Sequence, residues 1–159
     1  MGSPPPEALR LTPGASDDLT GVMEVMEAAF DPRFGEAWTR SQCAGILPMS
    51  GVSLMLATED QGRTIGFSLF RNVAEEAELL LLAVHPSEQG RGVGRRLLDE
   101  FVDQARARGA RRIHLEVRDG NRAIHMYQSA GFTLAGRRRR YYRGNDGDQH
   151  DALTLAREL

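Results

Sequence analysis

From Gln89 to Gly94 the chain reads Gln-Gly-Arg-Gly-Val-Gly, a run whose glycines and position point to phosphate chemistry. It follows the apolar segment Leu79-Leu80-Leu81-Leu82-Ala83-Val84 and opens the helix-like stretch from Val93 to Val102. A strand, a Gly-rich turn and a helix start gather unpaired backbone N–H groups at the positive end of a helix dipole, where a phosphate binds well. Glycine serves there because a Cβ would hold the ligand's oxygens off the backbone, and because such turns often need positive φ. Two common phosphate motifs are excluded. A P-loop ends in Gly-Lys-Ser/Thr, and all 20 basic residues of this chain are arginine. A dinucleotide fingerprint needs a third glycine, but Arg95, Arg96 and Leu97 follow Gly94.

The order Gln-x-x-Gly-x-Gly resembles the cofactor motif of the Gcn5-related N-acetyltransferases. That resemblance implies acetyl-coenzyme A as co-substrate, with its pyrophosphate on this turn. A second constellation suits the same chemistry: Leu115-Glu116-Val117-Arg118, Asn121, then Met126-Tyr127 and Gly131-Phe132. An amine must be neutral to attack, and an α-amine with a pKa near ~8 is mostly protonated at neutral pH. Glu116, at the end of a central strand, is the candidate general base. The departing thiolate, of pKa roughly 8.5, gains from a proton donor, for which the phenol of Tyr127 is suited. A free N–H at Val84 could donate to the developing oxyanion.

Taken singly, each residue has a plainer role. Glu116 could pair with Arg112 or Arg118, Tyr127 could be a core residue with its hydroxyl satisfied, and Asn121 could cap the next helix. Their joint occurrence downstream of the glycine motif favours the catalytic reading. His114 is a minor alternative base, on the same strand face as Glu116. His85, His114, His125 and His150 have no metal-ligand spacing, and the single Cys43 cannot form an internal disulfide.

Within the superfamily the chain looks like the bacterial ribosomal-protein-alanine N-acetyltransferases. Ala83-Val84-His85-Pro86 through Arg95, Leu115 to Arg118 with Asn121, and Tyr127 with Gly131-Phe132 carry the match. So does the more particular Arg138-Arg139-Arg140-Tyr141-Tyr142 followed by Asp151-Ala152-Leu153. The similarity runs from Leu79 onward, about half of the chain. It implies a direct attack of a protein's α-amine on acetyl-coenzyme A, with Glu116 as base and Tyr127 as acid. Leu82, Ala83 and Val84 would hold the pantetheine arm in strand-like fashion. Gly90, Arg91, Gly92, Val93, Gly94 and Arg95, after Gln89, would cradle the pyrophosphate, and Asn121 would also touch the cofactor. The acceptor would be a protein N-terminus, specifically an N-terminal alanine of a small-subunit ribosomal protein. One departure is visible: Tyr127 follows Asn121 by six positions, where the family pattern has seven. Gly131-Phe132 anchors Tyr127 from the other side, so the deletion falls in the loop before its helix.

The elements that must position these residues alternate. Residues 1–7 read as a flexible tail before a single domain over residues 8–159. Ala8 to Leu11 reads as a short strand. Asp17-Asp18 opens a helix whose face carries Val22, Met23, Val25, Met26, Ala29 and Phe30, and which Asp31-Pro32 stops. Trp38 to Leu47 reads as a second helix. Val52 to Glu59 and Thr64 to Val73 form a hairpin about Asp60-Gln61-Gly62. Leu79 to Val84 is a buried strand. The following helix runs from Gly92 to Arg108, with Gly109 closing it. Arg112 to Val117 is a strand, Ala123 to Ala130 a helix, and two strands follow near Phe132 to Tyr142 and Asp151 to Arg157. The fold class expected is α/β with a mixed sheet, splayed as in the acetyltransferases and flanked by helices on both faces.

Composition excludes several alternatives. A net charge of −2 and a pI near 6.1 argue against general nucleic-acid or membrane affinity. No apolar run reaches the ~18 residues a membrane span needs, the start lacks a signal peptide's apolar region, and a cytoplasmic location follows. The arginines from Arg137 to Arg140, with Arg143, raise a nucleic-acid or ribosome-binding module as another class. The plainer reading is a strand whose alternate arginines face solvent or acidic neighbours and which borders the acceptor cleft. Two further readings share the cofactor residues: an acetyltransferase for small-molecule amines, and an acetyl-coenzyme A-binding module without activity. The first would differ in the cleft built partly from Phe30 to Trp38 and Tyr141-Tyr142, and the second would not need Glu116.

Overall fold

The computed structural model describes residues 9–159; the expected tail, and Ala8 of the first strand, lie outside the described residues. Seven strands form one sheet: β1 (Arg10–Pro13), β2 (Val52–Thr58), β3 (Thr64–Val73), β4 (Glu76–Val84), β5 (Arg112–Arg118), β6 (Thr133–Arg143) and β7 (Gln149–Glu158). Their order is β1-β2-β3-β4-β5-β7-β6. Among the described residues only β4 and β5 run parallel, joined by the crossover through α3 (Val93–Ala107). The remaining helices are α1 (Leu19–Ala29), α2 (Arg40–Ile46) and α4 (Ile124–Ser129). The expected mixed sheet with helices on both faces is what the chain forms.

Local signals explain the helix limits. In α2, Thr39 accepts from the Gln42 N–H while the Gln42 side chain accepts from the Thr39 N–H, a capping box that starts the helix two residues after the expected Trp38. On α3, Val93, Leu97, Leu98, Phe101, Val102 and Ala105 are buried, an apolar stripe at helical spacing. α4 ends in a Schellman motif: the Phe132 N–H bonds the Tyr127 carbonyl, and the N–H of Gly131, at φ +92°, bonds Gln128. The spacing from Tyr127 to Gly131-Phe132 is thus the geometry of a helix stop.

Two cores sandwich the sheet. One joins α3 and α4 to Leu79, Ile113, Leu115, Val117 and Phe132; the other joins α1 and α2 to Leu54, Leu56, Phe67, Leu69 and Leu81. Phe70 and Phe101 meet edge to face at 5.2 Å in the first core, a geometry worth about 0.5–1.5 kcal/mol beyond area burial.

The leucine run of β4 contains the feature that shapes the site. Leu69 pairs with Leu81 but Phe70 pairs with Leu79, so Leu80 is an extra residue, a β-bulge. An insertion of one residue exchanges the faces of everything beyond it. Accordingly Ala77 and Leu79 pack toward α3, whereas Leu81 and Ala83 pack toward α1. Pairing of β4 with β5 covers Glu76–Leu79 against Arg112–Leu115 and stops at the bulge. Beyond it the two strands diverge, and the sheet opens as a wedge.

Candidate active site

A cleft of about 810 Å³ fills that wedge, lined by Leu80–Val84 from one side and Glu116–Arg118 from the other. His85 donates its N–H to Ile65 across the sheet at 2.8 Å. Antiparallel pairing alternates, so Ala83 faces Phe67, and the N–H groups of Leu82 and Val84 point away from β3 into the cleft. Leu82 and Val84 therefore present backbone donors to the cleft. Ala83 spaces them, with its own polar backbone turned to β3.

At the wide end of β4 the chain turns into α3. Gly92 caps that helix in the left-handed region, at φ +79°, and Gly90 stands at +82°. A Cβ on either would meet nothing within 4 Å, so backbone conformation, and the open space above the turn, account for glycine here. The Arg96 N–H bonds the Gly92 carbonyl, which leaves those of Val93, Gly94 and Arg95 as the helix's free N-terminal donors. A Cβ on Gly94 would stand 3.4 Å from the Met126 sulfur, so this glycine also lets α3 approach α4. Gln89 holds the turn in place, because its amide donates to the Val84 carbonyl at 3.2 Å and pins the turn to β4. Arg91 is ion-paired to Glu88, and Arg95 to Asp99 at 3.0 Å. The cradle fits a pyrophosphate: free N–H groups converge, and no side chain fills the space over its glycines.

Across the cleft, alternation along β5 turns Ile113, Leu115 and Val117 into the α3 core and His114, Glu116 and Arg118 to the other face. The Glu116 side chain is 13% exposed and lies 3.2 Å from Arg138 through one oxygen. Its other oxygen accepts from the Thr154 hydroxyl at 2.8 Å. The sequence had offered Arg112 or Arg118 as partners, but Arg112 pairs with Glu76 and Glu158, and Arg118 with Glu36. Strand order decides this: β7 and then β6 lie beyond β5, and bring Thr154 and Arg138 alongside Glu116. His114 lies 3.7 Å from Glu78, and that carboxylate draws its pKa up.

Tyr127 is buried and lines the same cleft from α4, its ring edge-on to Phe132 at 6.0 Å. Burial, and then the charge of Glu36, push its phenol well above the usual tyrosine range. It stays protonated throughout the physiological range, as a proton donor must. Tyr142 is shifted the same way by the same two causes, and Tyr141 beside it is half exposed at the mouth.

Glu36 is the site residue that sequence reasoning missed. Its side chain is only 10% exposed, bonded by Arg118 Nε at 2.5 Å and by Asn121 Nδ2 at 2.8 Å. Asn121 Oδ1 accepts from the Ala123 N–H at 2.8 Å in the turn before α4, so its amide bridges Glu36 to the start of that helix, and the residue lines the cleft where the resemblance implies a cofactor contact. The available signal was a lone carboxylate within Phe34-Gly35-Glu36-Ala37-Trp38, directly before a capping box.

Two arginines of the arginine-rich strand have acidic partners. Arg137 pairs with Asp119 at 2.8 Å and Asp151 at 2.9 Å, and Arg138 with Glu116. Between Arg138 and Tyr142 three residues of β6 stand opposite Asp151 alone. Asp151 holds this bulge by accepting from the N–H of Arg140, which sits at φ +55°. Among the described residues, no group of three or more His, Cys, Asp or Glu side chains is placed to hold a metal ion.

The family model of the GNAT acetyltransferases matches residues 19–132, more than half of the chain. A ribosomal protein bS18-alanine N-acetyltransferase of Haemophilus ducreyi is 30% identical over 142 residues, which cover 83% of this chain and 98% of that one. The protein of that name from Escherichia coli K12 is 41% identical over 96 residues, 60% of this chain. That match spans 64% of the relative, somewhat under two thirds of its length. The crystal structure of the ribosomal-protein-S18-alanine N-acetyltransferase from Escherichia coli superposes with a TM-score of 0.83 at 30% identity, covering 95% of this chain and 94% of that one. With its bulged β4, its splayed sheet and its glycine cradle, the chain belongs to the acetyltransferase (GNAT) family.

Proposed function

We propose that the protein moves the acetyl group of acetyl-coenzyme A to the α-amine of a protein N-terminus, with an N-terminal alanine of a ribosomal protein as acceptor. The observation that carries this reading is the arrangement around the splay. Glu116, Tyr127 and the free N–H groups of Leu82 and Val84 line one cleft, continuous with the phosphate cradle. The relatives from Haemophilus ducreyi and Escherichia coli, alanine N-acetyltransferases of ribosomal protein bS18 by name, support the choice of acceptor. A cytoplasmic place of action goes with it, and no helix among the described residues is long and apolar enough to cross a membrane.

Each group has a part in this scheme. The N–H groups of Val93, Gly94 and Arg95 hold the pyrophosphate, and those of Leu82 and Val84 hold the pantetheine arm and the thioester carbonyl. Glu116 takes a proton from the acceptor's ammonium, directly or through water. The freed lone pair forms the new C–N bond, and Val84 donates to the oxyanion that develops. As the C–S bond breaks, Tyr127 protonates the thiolate, of intrinsic pKa roughly 8.5, and the second proton of the acylated nitrogen passes through water to the tyrosinate as the amide forms. Burial, and then the charge of Glu36, keep that phenol protonated at neutral pH.

The test is acetyl transfer to two peptides. One begins with alanine; the other is the same peptide with its α-amine blocked and a lysine present. Transfer to the free terminus alone is expected. Transfer to lysine, or to neither peptide while coenzyme A still binds, overturns the assignment.

A further inference from the structure

We propose that Glu36 is a positioning residue for Tyr127: through Asn121 it fixes the start of α4 and so aims the phenol at the sulfur. This rests on the reading of Tyr127 as the acid. Glu36 lies on the segment between α1 and α2, far in sequence from α4, and faces the cleft floor. Both of its oxygens are engaged, one by Arg118 at the end of β5 and one by Asn121 in the β5–α4 connection. Asn121 passes the constraint on through the Ala123 N–H. Ala123 in turn accepts from the Tyr127 N–H at 3.1 Å, so a chain of hydrogen bonds runs from Glu36 to the backbone of the acid.

The carboxylate is held firmly enough to act as a fixed point. The Arg118 guanidinium stacks over the Phe34 ring at 3.8 Å, and Phe34 meets His150 edge-on at 5.2 Å. Gly35, at φ +67°, approaches the Arg143 carbonyl so closely that a Cβ would stand 2.1 Å from it. His150 Nε2 lies 3.2 Å from the Arg33 carbonyl, and the Asn145 N–H bonds that of Pro32. Residues 31–36 are therefore clamped to the β6–β7 turn on one side and to the β5–α4 corner on the other. Glu36 also contributes charge, since its field is the second cause of the raised Tyr127 pKa. A plain structural ion pair would anchor β5 as well, but would have no reason to engage Asn121.

The experiment is a double-mutant cycle on steady-state acetyl transfer to the alanine peptide, using Glu36→Gln, Tyr127→Phe and the pair. We expect Glu36→Gln to lower kcat about tenfold to a hundredfold, the range a displaced catalytic group produces. KM for acetyl-coenzyme A should stay within about twofold, because the cradle is untouched. In the Tyr127→Phe background Glu36→Gln should have almost no further effect, since the group it aims is gone. Glu36→Gln leaves the Arg118 charge without its partner, so Asn121→Ala is the parallel variant: it keeps the ion pair and cuts the link to α4. It should show the same kcat loss and the same non-additivity, beside a melting-temperature drop of a few degrees for the lost Ala123 bond. If either variant multiplies with Tyr127→Phe, or acts on KM alone, the proposal falls while the acid assignment stands. A wild-type rate for Tyr127→Phe removes both.

Discussion

Thr154 stands directly opposite Glu116 in the β5–β7 pairing and donates its hydroxyl to Glu116 Oε2 at 2.8 Å. This bond and the Arg138 contact aim the carboxylate from beside, leaving its open side to the cleft. Thr154→Val keeps the shape and removes the donor. Such a bond to a charged group contributes about 1.5–3 kcal/mol, so kcat/KM for the peptide should fall roughly tenfold or more. Isothermal titration with coenzyme A should give an unchanged Kd, because Thr154 lies away from the cradle.

Removing the proposed base, Glu116, should have a larger and pH-dependent effect. Glu116→Gln should lower kcat/KM by about 10²–10⁴-fold. The deficit should be greatest at low pH, where the acceptor's α-amine, of pKa near ~8, carries its proton. It should narrow as the pH rises through that value and free amine becomes abundant. A deficit independent of pH would point to positioning of the amine and away from proton transfer.

Tyr127→Phe should slow turnover with little change in coenzyme A affinity. Because burial and the Glu36 charge raise the Tyr127 pKa, the acid form persists above the ordinary tyrosine value of about 10. The wild-type pH–rate profile should therefore show no falling limb from Tyr127 below about pH 10. A limb near pH 8 that Tyr127→Phe abolishes would contradict that environment.

Gly92→Ala tests the cradle. At φ +79° a Cβ costs about 1–2 kcal/mol, so the melting temperature should drop by a few degrees. Coenzyme A affinity should fall further than the stability loss alone explains, since the methyl group would enter the open space over the turn. Equal affinity in the variant would remove this turn from the binding site.

Asp151→Asn tests the bulge of β6, which carries Tyr141 and Tyr142 to the acceptor side. The bond from the Arg140 N–H, and then that from Arg137, hold the Asp151 pKa below the usual carboxylate value. A depressed folded-state pKa stabilises the protein above the unfolded value of about 3.9, and that stability is lost as pH falls through the folded value. The wild type should accordingly lose stability below about pH 4 more steeply than the variant. At neutral pH the variant should raise the peptide KM and leave the KM for acetyl-coenzyme A unchanged.

Much of the molecule was legible beforehand, for local reasons. Apolar periodicity, the Asp31-Pro32 stop, the glycines at Gly109 and Gly131 and the Gln89–Gly94 turn act over a few residues, so the sequence by itself determined the order of elements, the mixed α/β class and the Gly-rich turn into α3. Glu116 and Tyr127 were visible because strand alternation and a helix stop set their places. Tertiary structure alone decided what surrounds them. The bulge at Leu80 is silent in a run of four leucines, since residues buried on either face must all be apolar. The partners of Glu116 depend on strand order, which puts β7 and β6 beyond β5 and left the nearby Arg112 and Arg118 to other carboxylates. The partners of Glu36 are hidden for the same reason: its bonds to Arg118 and Asn121 span more than eighty residues, and only the folded chain brings those groups within reach.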